Sequence, residues 1–203
     1  MNLLDVTGPA LDSWCERWLG AGVDDIVFAT GHLSRVVGVC LTDGRQVVVK
    51  VRPAADRLVA CTDVQRILWQ AGFPCPRPLA GPVPFCAYTA NAENLVPGGE
   101  VLGIGGDAVE RYAELLARFI RLAPPLDSIG SLAPNPPWVA WDHDYDGVWP
   151  PPDDRDADLN AHPETGWLDE IGRRVRRRLS QLCGSPTVVG HGDWESQNLA
   201  LPA

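Results

Sequence analysis

Lysine is almost missing from this chain of 203 residues: Lys50 stands alone, and every other basic side chain apart from histidine is arginine. Positive charge is scarce as a whole, leaving a formal net charge of -9 and a sequence pI near 4.8. That balance argues against nucleic acid as a partner, because a polyanion is usually met by a basic face. No apolar run approaches the length of a membrane span, and Met1 to Asp5 has neither the basic start nor the apolar core of a signal peptide. The expectation is a cytoplasmic, soluble protein with no membrane partner. The cysteines Cys15, Cys40, Cys61, Cys75, Cys86 and Cys183 form no C-x-x-C pair, which removes a zinc knuckle and suits a reducing compartment. No internal repeat is present.

What is present is enough apolar sequence for one sizeable domain or two small lobes. Leu11 to Leu19 has helical periodicity closed by Gly20. Apolar runs Ile26–Ala29, Val36–Leu41 and Gln46–Val51 follow, the last two joined by Asp43-Gly44, a strong hairpin signal. Asp56 to Gln70 reads as a helix with Ala60, Val64, Ile67 and Leu68 on one stripe, and Phe85–Ala90 and Glu93–Val96 read as two short strands. Glycines between Gly98 and Gly106 mark a boundary. Beyond it, a helix begins at Asp107 with Glu110 as its capping-box partner, and a proline-rich loop spans 126–163. A last helix runs over 165–182 with Leu168, Ile171, Val175, Leu179 and Leu182 facing inward. A short strand, Thr187–Gly190, leads into the final motif.

That motif is His191-Gly192-Asp193-Trp194-Glu195-Ser196-Gln197-Asn198. An aspartate two residues after a histidine, with an asparagine five further on, is the spacing of a phosphoryl-transfer loop. In such a loop the carboxylate takes the proton of the attacking hydroxyl and the amide oxygen holds magnesium. Lys50, at the end of a strand, has the compact ammonium on a flexible stem that suits a phosphate contact.

The wording from Val188 to Leu199, together with Gln46–Val51, Leu68–Pro76 and Glu93–Gly99, resembles the aminoglycoside phosphotransferase family. The resemblance spans about residues 25–200. It implies an α+β, two-lobed protein-kinase-like fold, with a nucleotide-binding lobe over 1–97 and a helical lobe over 98–203. It also implies ATP or GTP and Mg2+, and a small-molecule acceptor that the resemblance leaves open among an aminoglycoside, another antibiotic, an amino alcohol and a sugar. Position by position, Asp193 becomes the catalytic base, Asn198 a metal ligand and Lys50 the phosphate-contacting lysine. Gly31, His32 and Ser34 belong to a turn covering the phosphates, backbone groups from Glu93 to Val96 face the adenine, and His191 holds the loop's shape by hydrogen bonding.

Two departures accompany it. The helix after Lys50 has no glutamate, so Asp63, with Asp56 second, is the expected partner of the lysine. The family's second metal-binding aspartate lies beyond the asparagine, where this sequence has only Leu199 to Ala203. A truncated enzyme whose second lobe is completed by a missing segment or a partner, and a non-catalytic nucleotide-binding module, are both compatible with that. A calcium loop at Asp142-His143-Asp144-Tyr145-Asp146-Gly147, with Asp153 as its last ligand, is opposed by Pro150-Pro151-Pro152. These aspartates suit a cationic acceptor instead. The arginines from Arg173 to Arg178 read as a solvated helix face, Trp138, Trp141 and Trp149 mainly as packing, and Ser196 lacks the elbow of a serine hydrolase.

Overall fold

A computed structural model describes residues 6, 8–31, 33–98, 100–101, 107–141, 144–152, 157–161, 166–181, 187–194 and 198–201. The chain divides into two compact units, Met1–Leu132 with Val188–Ala203, and Ala133–Thr187. Among the described residues no helix is long and apolar enough to cross a membrane.

The first unit is built on a five-stranded antiparallel sheet in the order β1-β2-β3-β5-β4, formed by β1 (Val23–Gly31), β2 (Arg35–Leu41), β3 (Gln46–Arg52), β4 (Pro78–Phe85) and β5 (Tyr88–Asn94). The β-branched alternation of β2 and β3 sets the register Val37↔Val49 and Val39↔Val47. Their connection is the expected Asp-Gly turn: Gly44 has φ 83°, and Leu41 and Arg45 close it through an N–H to carbonyl bond of 2.8 Å. Between β1 and β2 the chain turns after Gly31, whose φ of 130° is open only to glycine at low cost. A Cβ there would overlap the Ser34 carbonyl oxygen. Gly31→Ala is therefore expected to cost about 1–3 kcal/mol, read as a lower urea midpoint at unchanged m-value.

Alternate residues of β3 and β5 face opposite ways. Val47, Val49, Val51, Ala90 and Ala92 enter a core with Val37, Val39, Leu41 and Phe85, all close to fully buried. Helix α1 (Pro9–Leu19), ended by Gly20 at φ 78°, adds Leu11, Trp14 and Cys15 to that core. The other face carries Val48 and Lys50 of β3 beside their partners Glu93 and Asn91 of β5.

The hairpin β4–β5 differs from expectation. Phe85 to Ala90 is not one strand: the chain reverses at Cys86-Ala87, with Cys86 at φ 51°. Pro78, Pro82 and Pro84 hide β4 from a reading by propensity, yet it lies at the sheet edge, where missing N–H groups are tolerated.

Helix α2 (Arg57–Gln70) buries Val64 and Leu68 in a second cluster with Phe73, Phe119 and Val189. Phe119 belongs to α3 (Ala108–Leu122). Asp107 precedes α3 but makes no capping bond; its carboxylate pairs with Arg111 one turn on, at 2.7 Å. Residues 187–190 form no strand. A pairing invisible to local pattern joins β6 (Glu100–Val101) to β7 (Ala200–Leu201).

In the second unit α4 (Gly166–Ser180) uses a different face from the one expected. Of the expected stripe Leu168 is half-buried, Ile171, Val175 and Leu179 stay exposed, and Leu182 lies outside the described residues. The packed face is Asp169, Gly172 and Arg176. Asp169 accepts from the Trp149 indole at 2.8 Å, and Arg176 donates to the Gly147 carbonyl at 3.0 Å. A Cβ on Gly172 would come within 2.7 Å of Val148. Trp141 packs edge-on against Trp149, as the packing reading of these tryptophans requires.

Candidate active site

Lys50 extends from the α2-side face of the sheet, one-third exposed, and its Nζ lies 2.7 Å from Glu93 Oε1. Glu93 is only 4% exposed. Its second oxygen, Oε2, accepts from Gln65 Nε2 of α2 at 2.9 Å, and the same amide nitrogen donates to the Pro76 carbonyl at 3.0 Å. Asp63 does not take the lysine. It pairs with Arg66 three residues along the exposed side of α2, so the expected Lys50–Asp63 contact is replaced by one within the sheet. The reason is register: Lys50 pairs with Asn91 and Val48 with Glu93, which puts Lys50 and Glu93 on one face of adjacent strands. Sequence reading assigned Glu93 only backbone duties. Its signal was a lone carboxylate in the strand-like stretch Ala90-Asn91-Ala92-Glu93-Asn94-Leu95.

Next along this face, Arg52 donates to Asn91 Oδ1 at 2.7 Å, and burial holds its guanidinium below the usual pKa. Burial pushes the Cys75 thiol up to about 11, with the Glu93 carboxylate adding to the shift, so Cys75 stays protonated at neutral pH. Cys61 and Cys86, by contrast, are exposed.

The segment after Val188 is fixed by aromatic packing. His191 meets Trp194 edge-on at 5.3 Å and Phe119 at 6.0 Å, while Trp194 also contacts Tyr112 and Phe119, both at 5.9 Å. Val189, 3% exposed, anchors the approach. The contacts His191 makes here are ring contacts, where hydrogen bonding was expected. Asp193 remains exposed, and Asn198 Nδ2 donates to its Oδ2 at 2.8 Å and to its carbonyl at 3.2 Å, closing the loop on itself.

Lys50, Gln65, Glu93, Asp193 and Asn198 all line one cavity of about 520 Å³ in the first unit. The structure thus brings together the lysine, the aspartate and the asparagine singled out from the sequence. Gly31 and Ser34 lie at the β1–β2 turn, Val96 is exposed just beyond β5, and His32 falls outside the described residues. Asp142, His143 and Asp153 of the acidic loop also fall outside them, and no cluster of metal-binding side chains occurs among those described.

No curated protein matches the chain. Among solved structures it is similar to a thermostable mutant of an aminoglycoside phosphotransferase in apo form (18% identity, 55% of this chain and 38% of that one, TM-score 0.40). It is also similar to a protein assigned as a fructosamine-3-kinase from Thermobifida fusca (16%, 89% and 65%, TM-score 0.46). A third is an aminoglycoside phosphotransferase from Alicyclobacillus acidocaldarius (14%, 82% and 50%, TM-score 0.40). The chain spans less than two thirds of the length of each. A profile of the phosphotransferase enzyme family matches residues 26–202, a stretch running from β1 through the loop that carries Asp193 and Asn198, and the chain belongs to that family.

Proposed function

We propose that the protein moves the γ-phosphoryl group of ATP or GTP to a hydroxyl of a small molecule, with residues 1–97 as the nucleotide lobe and 98–203 contributing the base and acceptor side. The observation carrying this reading is that Lys50, Asp193 and Asn198 share one cavity. Phosphoryl transfer asks mainly for positioning and charge compensation, and each residue offers one part. Lys50, with one of its three N–H donors used on Glu93, keeps donors for phosphate oxygens. Asp193 accepts the acceptor's hydroxyl proton, and its exposure suits a group that must meet a diffusing substrate. Asn198 Oδ1, on the amide whose Nδ2 donates to Asp193, is a hard oxygen donor of the type magnesium takes, alongside phosphate and water. Bound there, magnesium would supply charge neutralisation on the phosphates.

For the acceptor we favour an amine-bearing, hydroxylated molecule in the cytoplasm. The net charge of -9 supports a cationic ligand.

The test is ADP release from MgATP or MgGTP across a panel of amino sugars, amino alcohols and neutral sugars. Lys50→Met is expected to weaken nucleotide binding roughly tenfold to a hundredfold, the worth of a charge-assisted hydrogen bond. Nucleotide binding without turnover on any acceptor would favour the binding-module alternative. Turnover indifferent to Lys50→Met would remove this site.

A further inference from the structure

In the lysine–carboxylate pair typical of phosphotransfer sites of this kind, the acid sits on the helix that follows the lysine strand. Here α2 carries Asp63 as its acid, and Asp63 is tied to Arg66 on the exposed side. Glu93 occupies the space beside Lys50, and at 4% exposure its charge is tolerable only if both oxygens are satisfied. Lys50 satisfies one and Gln65 the other. Gln65 in turn needs two N–H donors on one nitrogen, one for Glu93 and one for the Pro76 carbonyl. A glutamate at position 65 would set a carboxylate oxygen 2.9 Å from that of Glu93 and oxygen against oxygen at Pro76. A neutral amide at position 65 is therefore what the buried Glu93 carboxylate and the Pro76 carbonyl require of the helix.

We infer that Glu93 is the positioning residue for Lys50, aiming its ammonium into the cavity for phosphate contact, and that Gln65 locks Glu93 from α2 through a neutral hydrogen bond. The inference rests on the phosphotransfer reading for the identity of the ligand. Its physical consequence is that the lysine is held by its own sheet, whose ladder fixes Glu93 against Val48. The helix contributes a tether in place of the charge.

Because Lys50 is the only lysine, the full chain grown with 15N-lysine gives one side-chain Nζ signal. Glu93→Gln is expected to move that signal to the position of a solvated lysine and to weaken MgATP binding about tenfold by calorimetry, whereas Asp63→Asn changes neither. Combining Glu93→Gln with Gln65→Glu returns the acid to the helix and is expected to recover part of both losses. A purely structural role for Glu93 would not produce that recovery. An unmoved Nζ signal in Glu93→Gln, or the same displacement in Asp63→Asn, overturns the inference even if the parent chain binds MgATP and the phosphotransfer reading stands. A displaced signal in a parent chain that binds neither MgATP nor MgGTP overturns that reading, and with it the phosphate-directed role of Glu93.

Discussion

Asp193→Asn is expected to lower phosphoryl transfer by about 10²–10⁴-fold, the usual contribution of a positioned general base, with nucleotide affinity nearly unchanged. The substitution is close to isosteric and removes the carboxylate's ability to take a proton. The loop is preserved, since the new side-chain carbonyl can still accept the bond that Asn198 Nδ2 makes at 2.8 Å to Asp193 Oδ2, and the second bond runs to backbone. The loss should fall on kcat rather than on nucleotide KM, because the proton belongs to the acceptor hydroxyl and not to the phosphates. Single-turnover measurement of phosphorylated acceptor against the parent chain checks this. Equal rates would show that Asp193 does no proton transfer and would remove it as the base.

Legibility in the sequence follows the range of the interaction that fixes each feature. The Asp43-Gly44 hairpin, the alternating valines of β2 and β3 and the spacing from His191 through Asp193 to Asn198 are local, and local chemistry decides them. The partner of Lys50 is not local. It depends on β5 pairing with β3 while β4, earlier in the chain, lies outside β5; that order brings Glu93 beside Lys50. Helix α4 shows a related limit. Its periodicity is clear, but the face that packs is chosen by Gly172, which admits Val148 and Trp149, and by the bonds of Asp169 and Arg176. A small residue flanked by polar groups makes the contact, so apolar spacing points to the wrong stripe. The β6–β7 pairing joins Glu100 to Leu201, and neither two-residue strand is long enough to show a period.

The same distinction shapes the largest stability effect expected. Phe119 is 4% exposed on α3 and packs edge-on against Phe73 at 5.6 Å, besides its contacts with His191 and Trp194. It therefore joins the end of α2 to the loop that presents Asp193. Phe119→Ala removes the ring from this cluster and is expected to cost about 3–5 kcal/mol in urea unfolding, as buried phenylalanine truncations do. Such a loss is a large share of a domain's total stability. Phe119→Leu, which keeps most of the volume, should cost much less. The effect should also reach the chemistry. With one wall of the His191 and Trp194 cage gone, Asp193 is held less closely, and a displacement of about 1 Å at a reacting group can cost on the order of a hundredfold in rate. Turnover measured at low temperature and normalised to the folded fraction separates the two effects: a lowered kcat per folded molecule is expected. A stability loss of the stated size with turnover per folded molecule equal to the parent's would mean that the aromatic cluster holds the fold but does not place the base.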